Sequence, residues 1–183
     1  MPKKPETELT DLLETGLDVK DRTLFLTGDV NDEMATKALM GMRILSRQPS
    51  KPVEIILSSR GGEDDAGWAV YDAIAMSPCK TIITGYGPVM SMAVAILQAG
   101  SVRRLMPFSR LLLHPGQAFA ELDSRAFVSF GKEVEFQGQQ YLDVLAMHSQ
   151  ISRDDVQKLI LSDTFMSAWD AVRAGLADEV IEP

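Results

Sequence analysis

One cysteine and two histidines are all that this 183-residue chain offers of the side chains that most readily hold transition metals. Cys79 cannot close an internal disulfide and has no second cysteine for a metal pair, which fits a reducing compartment and a small buried residue. There is no His-x-x-x-His spacing, and the acidic stretches Glu63-Asp64-Asp65 and Asp154-Asp155 read as helix starts, so no metal site is expected. The phosphate loop G-x-x-x-x-G-K-[ST] is also missing, and with it any expectation that the chain itself hydrolyses ATP. Positive charge is scarce. Eighteen Lys and Arg face 26 Asp and Glu for a net charge of −8, and Arg43, Arg103, Arg104 and Arg110 are scattered, which argues against nucleic acid as a partner. Purely apolar runs such as Ala93-Val94-Ala95-Ile96-Leu97 fall far short of the roughly 20 residues that span a bilayer. The opening residues Met1 to Glu6 are polar and lack the apolar segment of a secretory signal, so a cytoplasmic protein with no membrane partner is expected.

Repeats, low-complexity stretches and linkers are absent too, and the length suits one compact domain. Hydrophobic residues make up 45% and charged residues 24%, enough of each for a buried core under a soluble surface. Residues 1–19 are polar with an apolar patch (Leu9, Leu12, Leu13, Leu17) and are expected to form an N-terminal arm or short helix. Residues 20–183 are expected to form the single domain. Strand-like and helix-like segments alternate in it, the signature of an α/β fold. Strands are expected at 22–27, 53–58, 81–84, 102–105, 110–113 and 179–181. Helices are expected at 32–45, 65–76, 90–100, 124–150, from Ser152 onward and at 168–174. Gly85 to Val89 reads as a turn, Gly100 as the close of the apolar helix, and the β-α crossovers as right-handed.

Two places put special residues just past strand ends, where open α/β sheets bind ligands. In Ser58-Ser59-Arg60-Gly61-Gly62, paired glycines let the backbone turn sharply; an ordinary strand-to-helix turn would look the same. In Met90-Ser91-Met92 a serine opens an apolar helix, whose free N–H groups and positive dipole end could stabilise an oxyanion. A plain N-cap is the competing role of Ser91. His114 leaves the apolar run Leu111-Leu112-Leu113 at a sharp turn, and its side chain could act as general base near neutral pH or serve as a structural histidine. His148, near a helix end, reads as a surface residue. A base needs an orienting carboxylate, and Asp163, between apolar stretches at a helix boundary, is a candidate buried carboxylate or a cap for the following helix.

These segments fall into one familiar order. The chain resembles the proteolytic subunit family of the Clp protease (ClpP) from about Leu12 to Val180. Ser59-Arg60-Gly61-Gly62 is similar to the family's Ser-Pro-Gly-Gly, and Ala66-Gly67-Trp68-Ala69-Val70-Tyr71-Asp72 follows it as in the family. Gly87-Pro88-Val89-Met90-Ser91-Met92 resembles the nucleophile motif, Leu112-Leu113-His114-Pro115 the histidine segment, and Asp163-Thr-Phe-Met-Ser-Ala168 with Gly175-Leu176 and Asp178-Glu-Val180 the C-terminal motif. The resemblance implies a β-β-α spiral of the ClpP/crotonase-like kind, with a handle at about 117–150 and its long helix protruding. It implies a serine endopeptidase with the triad Ser91, His114 and Asp163 and an oxyanion hole from the backbone N–H groups of Gly62 and Met92. It further implies that the chain has no cofactor of its own, because ATP would be used by an AAA+ unfoldase that delivers unfolded substrate to stacked heptameric rings, a tetradecamer.

The chain departs from the family where Arg60 replaces proline, where Glu63-Asp64-Asp65 replaces a small neutral stretch, after His114, and where Leu161-Ser162 replaces an Asp-Arg pair. Two other readings stand beside the peptidase: a catalytically weak subunit in mixed rings with a ClpP paralogue, and a crotonase-like enzyme acting on acyl-CoA thioesters. The second of these shares the spiral and the oxyanion geometry but not the triad.

Overall fold

A computed structural model of the chain describes residues 14–118, 120–121 and 123–182. Leu9, Leu12 and Leu13 of the expected arm lie outside the described residues. Leu17 begins a two-residue strand, β1 (Leu17–Asp18), paired antiparallel with β2 (Thr23–Thr27).

From β2 the chain runs through α1 (Asp32–Leu45), β3 (Val53–Ser59), α2 (Asp64–Ala75), β4 (Thr81–Met90), α3 (Met92–Gln98) and β5 (Val102–Leu105). Then come β6 (Arg110–Leu113), α4 (Ser124–His148), α5 (Arg153–Leu161), β7 (Thr164–Ser167), α6 (Ala168–Arg173) and β8 (Glu179–Val180). The cap of α1 is Asn31, one residue before the acidic start of that helix; its side chain accepts from the Met34 N–H at 3.0 Å.

The expected α/β spiral is what forms. β2, β3, β4 and β5 pair in parallel in that order, with β1 and β8 outside them. In β3 the burial alternates: Val53, Ile55, Leu57 and Ser59 are buried, and the residues between them are half exposed. Strand β4 departs from expectation. The glycines and proline of Gly85 to Val89 signal a turn, yet the strand continues to Met90 because a second partner takes over. Ile82 to Gly85 pair with β5, whereas Pro88 to Met90 pair with β6, which in turn pairs antiparallel with β7. Long-range pairing outweighs local turn preference there. The short strand β7, absent from the sequence reading, exists only through its ladder with β6.

Helix α3 is the centre of the core. All seven of its residues are buried, and Gln98, its one polar member, donates to the carbonyls of Val94 and Leu176 and accepts from Arg103. Each leucine, isoleucine or valine so enclosed contributes about 1.5–3 kcal/mol. Gly100 lies just beyond the helix for packing: a Cβ there would meet Ile83 Cγ1 at 2.9 Å. The result is a rigid floor from which β3, β4 and β6 all end on the same side.

Candidate active site

Ser91 is the single residue between the end of β4 and the start of α3, and its backbone has φ 53° and ψ −129°. A non-glycine residue in that region is strained by about 1–3 kcal/mol and stays there only when its surroundings fix it. Three bonds do so. The Ser91 N–H donates to Leu112 on β6 at 2.8 Å, and its carbonyl accepts from the Val94 N–H at 2.8 Å and from the Tyr141 hydroxyl at 3.2 Å. The Ser91 side chain makes no cap hydrogen bond to α3. A serine raised on a sharp strand-to-helix turn with its hydroxyl uncommitted is the arrangement that exposes a nucleophile, so the plain N-cap role does not describe it.

The paired glycines lie against this turn. Gly61 has φ 96°, and a Cβ on it would sit 2.6 Å from Ser91 Cβ and 2.8 Å from the Met90 carbonyl oxygen. Gly62 has φ 155°, and a Cβ there would come within 2.2 Å of the Val30 carbonyl oxygen, to which Glu63 N–H donates at 2.8 Å. No side chain fits at either position. The N–H groups of Gly62 and of Met92, the first residue of α3, make no hydrogen bond among the described residues. Gly67 on α2 lacks the Cβ that would strike Met92 Cγ at 2.2 Å, which lets Met92 pack beneath the turn.

His114 follows β6 directly and is half-buried. Together with Ser91, Gly61, Gly62 and Arg60 it lines a cleft of about 680 Å³. Asp163 stands apart from that cleft. It is exposed, with φ 47°, in the turn between α5 and β7. The expectation of a buried carboxylate at this position is therefore not met in the single chain, and the cap of α6 is Ser167, which forms a capping box with Asp170. The β6–β7 ladder ends on the pair Leu113 and Thr164, so His114 and Asp163 are the residues next to its last rung. No hydrogen bond joins the Ser91 hydroxyl to His114, or His114 to Asp163, among the described residues; catalytic hydrogen bonds are often loose before substrate binds.

Two side chains at this site escaped the sequence reading. Tyr141, on α4, ties the Ser91 carbonyl to the long helix; burial of its hydroxyl pushes its pKa up, and the negative Asp64 adds to this. Asp64, the first residue of α2, lines the cleft beside Ser91 and His114. Burial raises its carboxyl above the usual range, the Asp65 charge adds to that, and His114 opposes it. The four-residue spacing from Tyr141 to Leu145 is the signal that could have marked Tyr141 as facing the core; Asp64 was visible only as charge at a helix start.

His148 also differs from its sequence reading. It is half-buried beside the Arg103–Asp178 pair, and its carbonyl accepts from Arg103 at 3.5 Å. Among the described residues no group of three or more His, Cys, Asp or Glu is placed to hold a metal, and no helix is long and apolar enough to cross a membrane.

Comparison with known proteins points to one family. Residues 9–183 match the family model described as Clp protease. The chain is 30% identical to ATP-dependent Clp protease proteolytic subunit 1 of Chlamydia trachomatis serovar D, with 97% of this chain and 96% of the relative aligned. It is also 30% identical to the protein of the same name from Chlamydia pneumoniae, over 95% of this chain and 93% of the relative. The ATP-dependent Clp protease proteolytic subunit of Deinococcus radiodurans is again 30% identical, over 90% of this chain and 82% of the relative.

Proposed function

The chain belongs to the Clp protease family, and from that premise we propose that it is a serine endopeptidase subunit that hydrolyses peptide bonds with Ser91 as nucleophile, His114 as general base and Asp163 as the carboxylate that orients the base. The Ser91 hydroxyl attacks the substrate carbonyl while His114 accepts its proton, and the oxyanion that develops is bound by the N–H groups of Gly62 and Met92. His114 then returns the proton to the leaving amine, and water, activated the same way, releases the acyl group from Ser91. The observation that carries this reading is the strained backbone of Ser91, which holds an uncapped hydroxyl over a cleft shared with His114 and Gly61-Gly62.

In this reading the chain needs no cofactor of its own, works in the cytoplasm in stacked seven-membered rings, and receives unfolded protein from an AAA+ unfoldase that consumes the ATP. Large apolar side chains left bare on the single chain, among them Leu39, Met40, Met76 and Phe136, support an assembly that covers them. The missing hydrogen bonds from Ser91 to His114 and from His114 to Asp163 favour one alternative, a subunit that is weak alone and gains its alignment in mixed rings with a paralogue. Cleavage of a short fluorogenic peptide by the purified chain decides between them. Ser91→Ala is expected to lower the rate by about 10³-fold or more. Equal rates for the two proteins would sink the active-peptidase reading.

A further inference from the structure

Beside the cleft at Ser91 lies a second cavity of about 550 Å³, between α4, the start of α2 and the end of α5; Asp64, His114, Gly116 and Gln117 line both. Its walls are apolar where Phe130, Val134, Leu142 and Ile160 face it, and His114 is the one basic side chain among its lining residues. Asp64, Asp65, Glu133 and Glu135 border it, with no lysine or arginine. Asp65 accepts from the Gln137 side-chain amide at 3.3 Å, whereas Asp64 has no hydrogen-bond or ion-pair partner among the described residues. The Asp64 carboxylate faces the turn after His114, since a Cβ on Gly116 would lie 3.9 Å from its Oδ2. Half withdrawn from water and without a salt bridge, this carboxylate has only the neighbouring His114 to offset its charge.

We propose that this cavity receives a substrate side chain next to the cleaved bond, and that Asp64 makes it select lysine or arginine. The long aliphatic stem of either residue would lie along the apolar walls, with its cationic head at Asp64 in a charge-assisted hydrogen bond. A carboxylate-bearing side chain at that position would meet the four acidic residues and be rejected. The inference rests on Ser91 being the nucleophile of the adjoining cleft.

The test uses internally quenched peptides, each with one lysine, arginine, leucine or glutamate in an otherwise neutral sequence, with cleavage sites read by mass spectrometry. Cleavage adjacent to lysine and arginine is expected to exceed cleavage adjacent to leucine by about 10-fold, the size of one partly exposed charge-assisted bond. Asp64→Asn should erase that preference without abolishing cleavage at leucine, and Asp64→Glu should keep part of it. Ser91-dependent cleavage with no preference for the cationic residues would overturn the proposal and leave the peptidase reading standing. Fluorescence anisotropy with the Ser91→Ala chain judges the pocket without turnover: the lysine peptide is expected to bind more tightly than the leucine peptide, and equal binding overturns the proposal. If the wild-type chain cleaves none of the peptides, the peptidase reading falls and the binding series alone decides the pocket.

Discussion

Helices α3 and α4 have opposite relations to the core. Every residue of the seven in α3 is buried, and the helix touches sheet and helices on all sides. α4 is 25 residues long, yet among its described residues only Leu142 and Leu145, both in its last two turns, are buried; Phe127, Val128 and Phe136 are 65%, 60% and 57% exposed. Its glycines Gly131 and Gly138 meet nothing where a Cβ would point. Propensity and the Asp123 cap, which accepts from the N–H groups of Arg125 and Ala126 at 2.9 Å, start this helix, and tertiary packing anchors only its far end. α3 is thus held by the fold, while most of α4 presents a surface for something else to hold.

Truncations in the two helices should break or uphold that contrast, and they give the largest difference. Leu97→Ala removes a fully buried side chain and is expected to cost about 2–5 kcal/mol, because the packed surroundings cannot close the cavity. Phe136→Ala should change the stability of the isolated chain by about 0.5 kcal/mol or less. Urea unfolding at low protein concentration measures both, and comparable losses would show that α4 is packed in the free chain as tightly as α3.

A smaller effect tests the hydrogen bond from the anchored end of α4 to the nucleophile turn. Tyr141→Phe removes the hydroxyl that donates to the Ser91 carbonyl and keeps the ring. The loss should be about 1 kcal/mol of stability, with a fall in kcat, because the bond restrains the backbone of Ser91. An unchanged kcat would mean that β4, β6 and α3 fix the turn unaided.

Much of this fold was legible in the sequence, and the exceptions share a cause. The apolar alternation of β3, the all-apolar run of α3 and the length of α4 follow from local pattern, and the structure reproduces them within a few residues. The second half of β4 and the whole of β7 depend on partners distant in the chain, so turn signals at Gly85 to Val89 misled and Thr164 to Ser167 gave no strand signal. At the site, local pattern left the roles of Ser91 and His114 open, and the resemblance to the family's ordered motifs pointed to Ser91, Gly62 and His114, which the structure brings to one cleft. The exposure of Asp163 was not legible, because it depends on how the α5–β7 turn sits against the rest of the fold.

The smallest of these effects tests whether the anchored end of α4 is as enclosed as its geometry indicates, and it can be read from His148. Burial lowers the pKa of this histidine, the Arg103 guanidinium lowers it further, and Asp178 partly opposes both. As pH falls through the unfolded histidine value of about 6.5, the unfolded chain takes up a proton that the folded chain does not yet bind. Stability must therefore decline from that pH downward until the folded-state pKa is passed, and it is fully retained above pH 6.5. His148→Gln cannot take up that proton in either state, so its urea midpoint should fall less than that of the wild type between pH 7.5 and pH 5.5. Parallel declines in the two proteins would mean that the imidazole charges as freely in the fold as in water, and that the anchored end of α4 is more open than the contacts of His148 with Arg103 indicate.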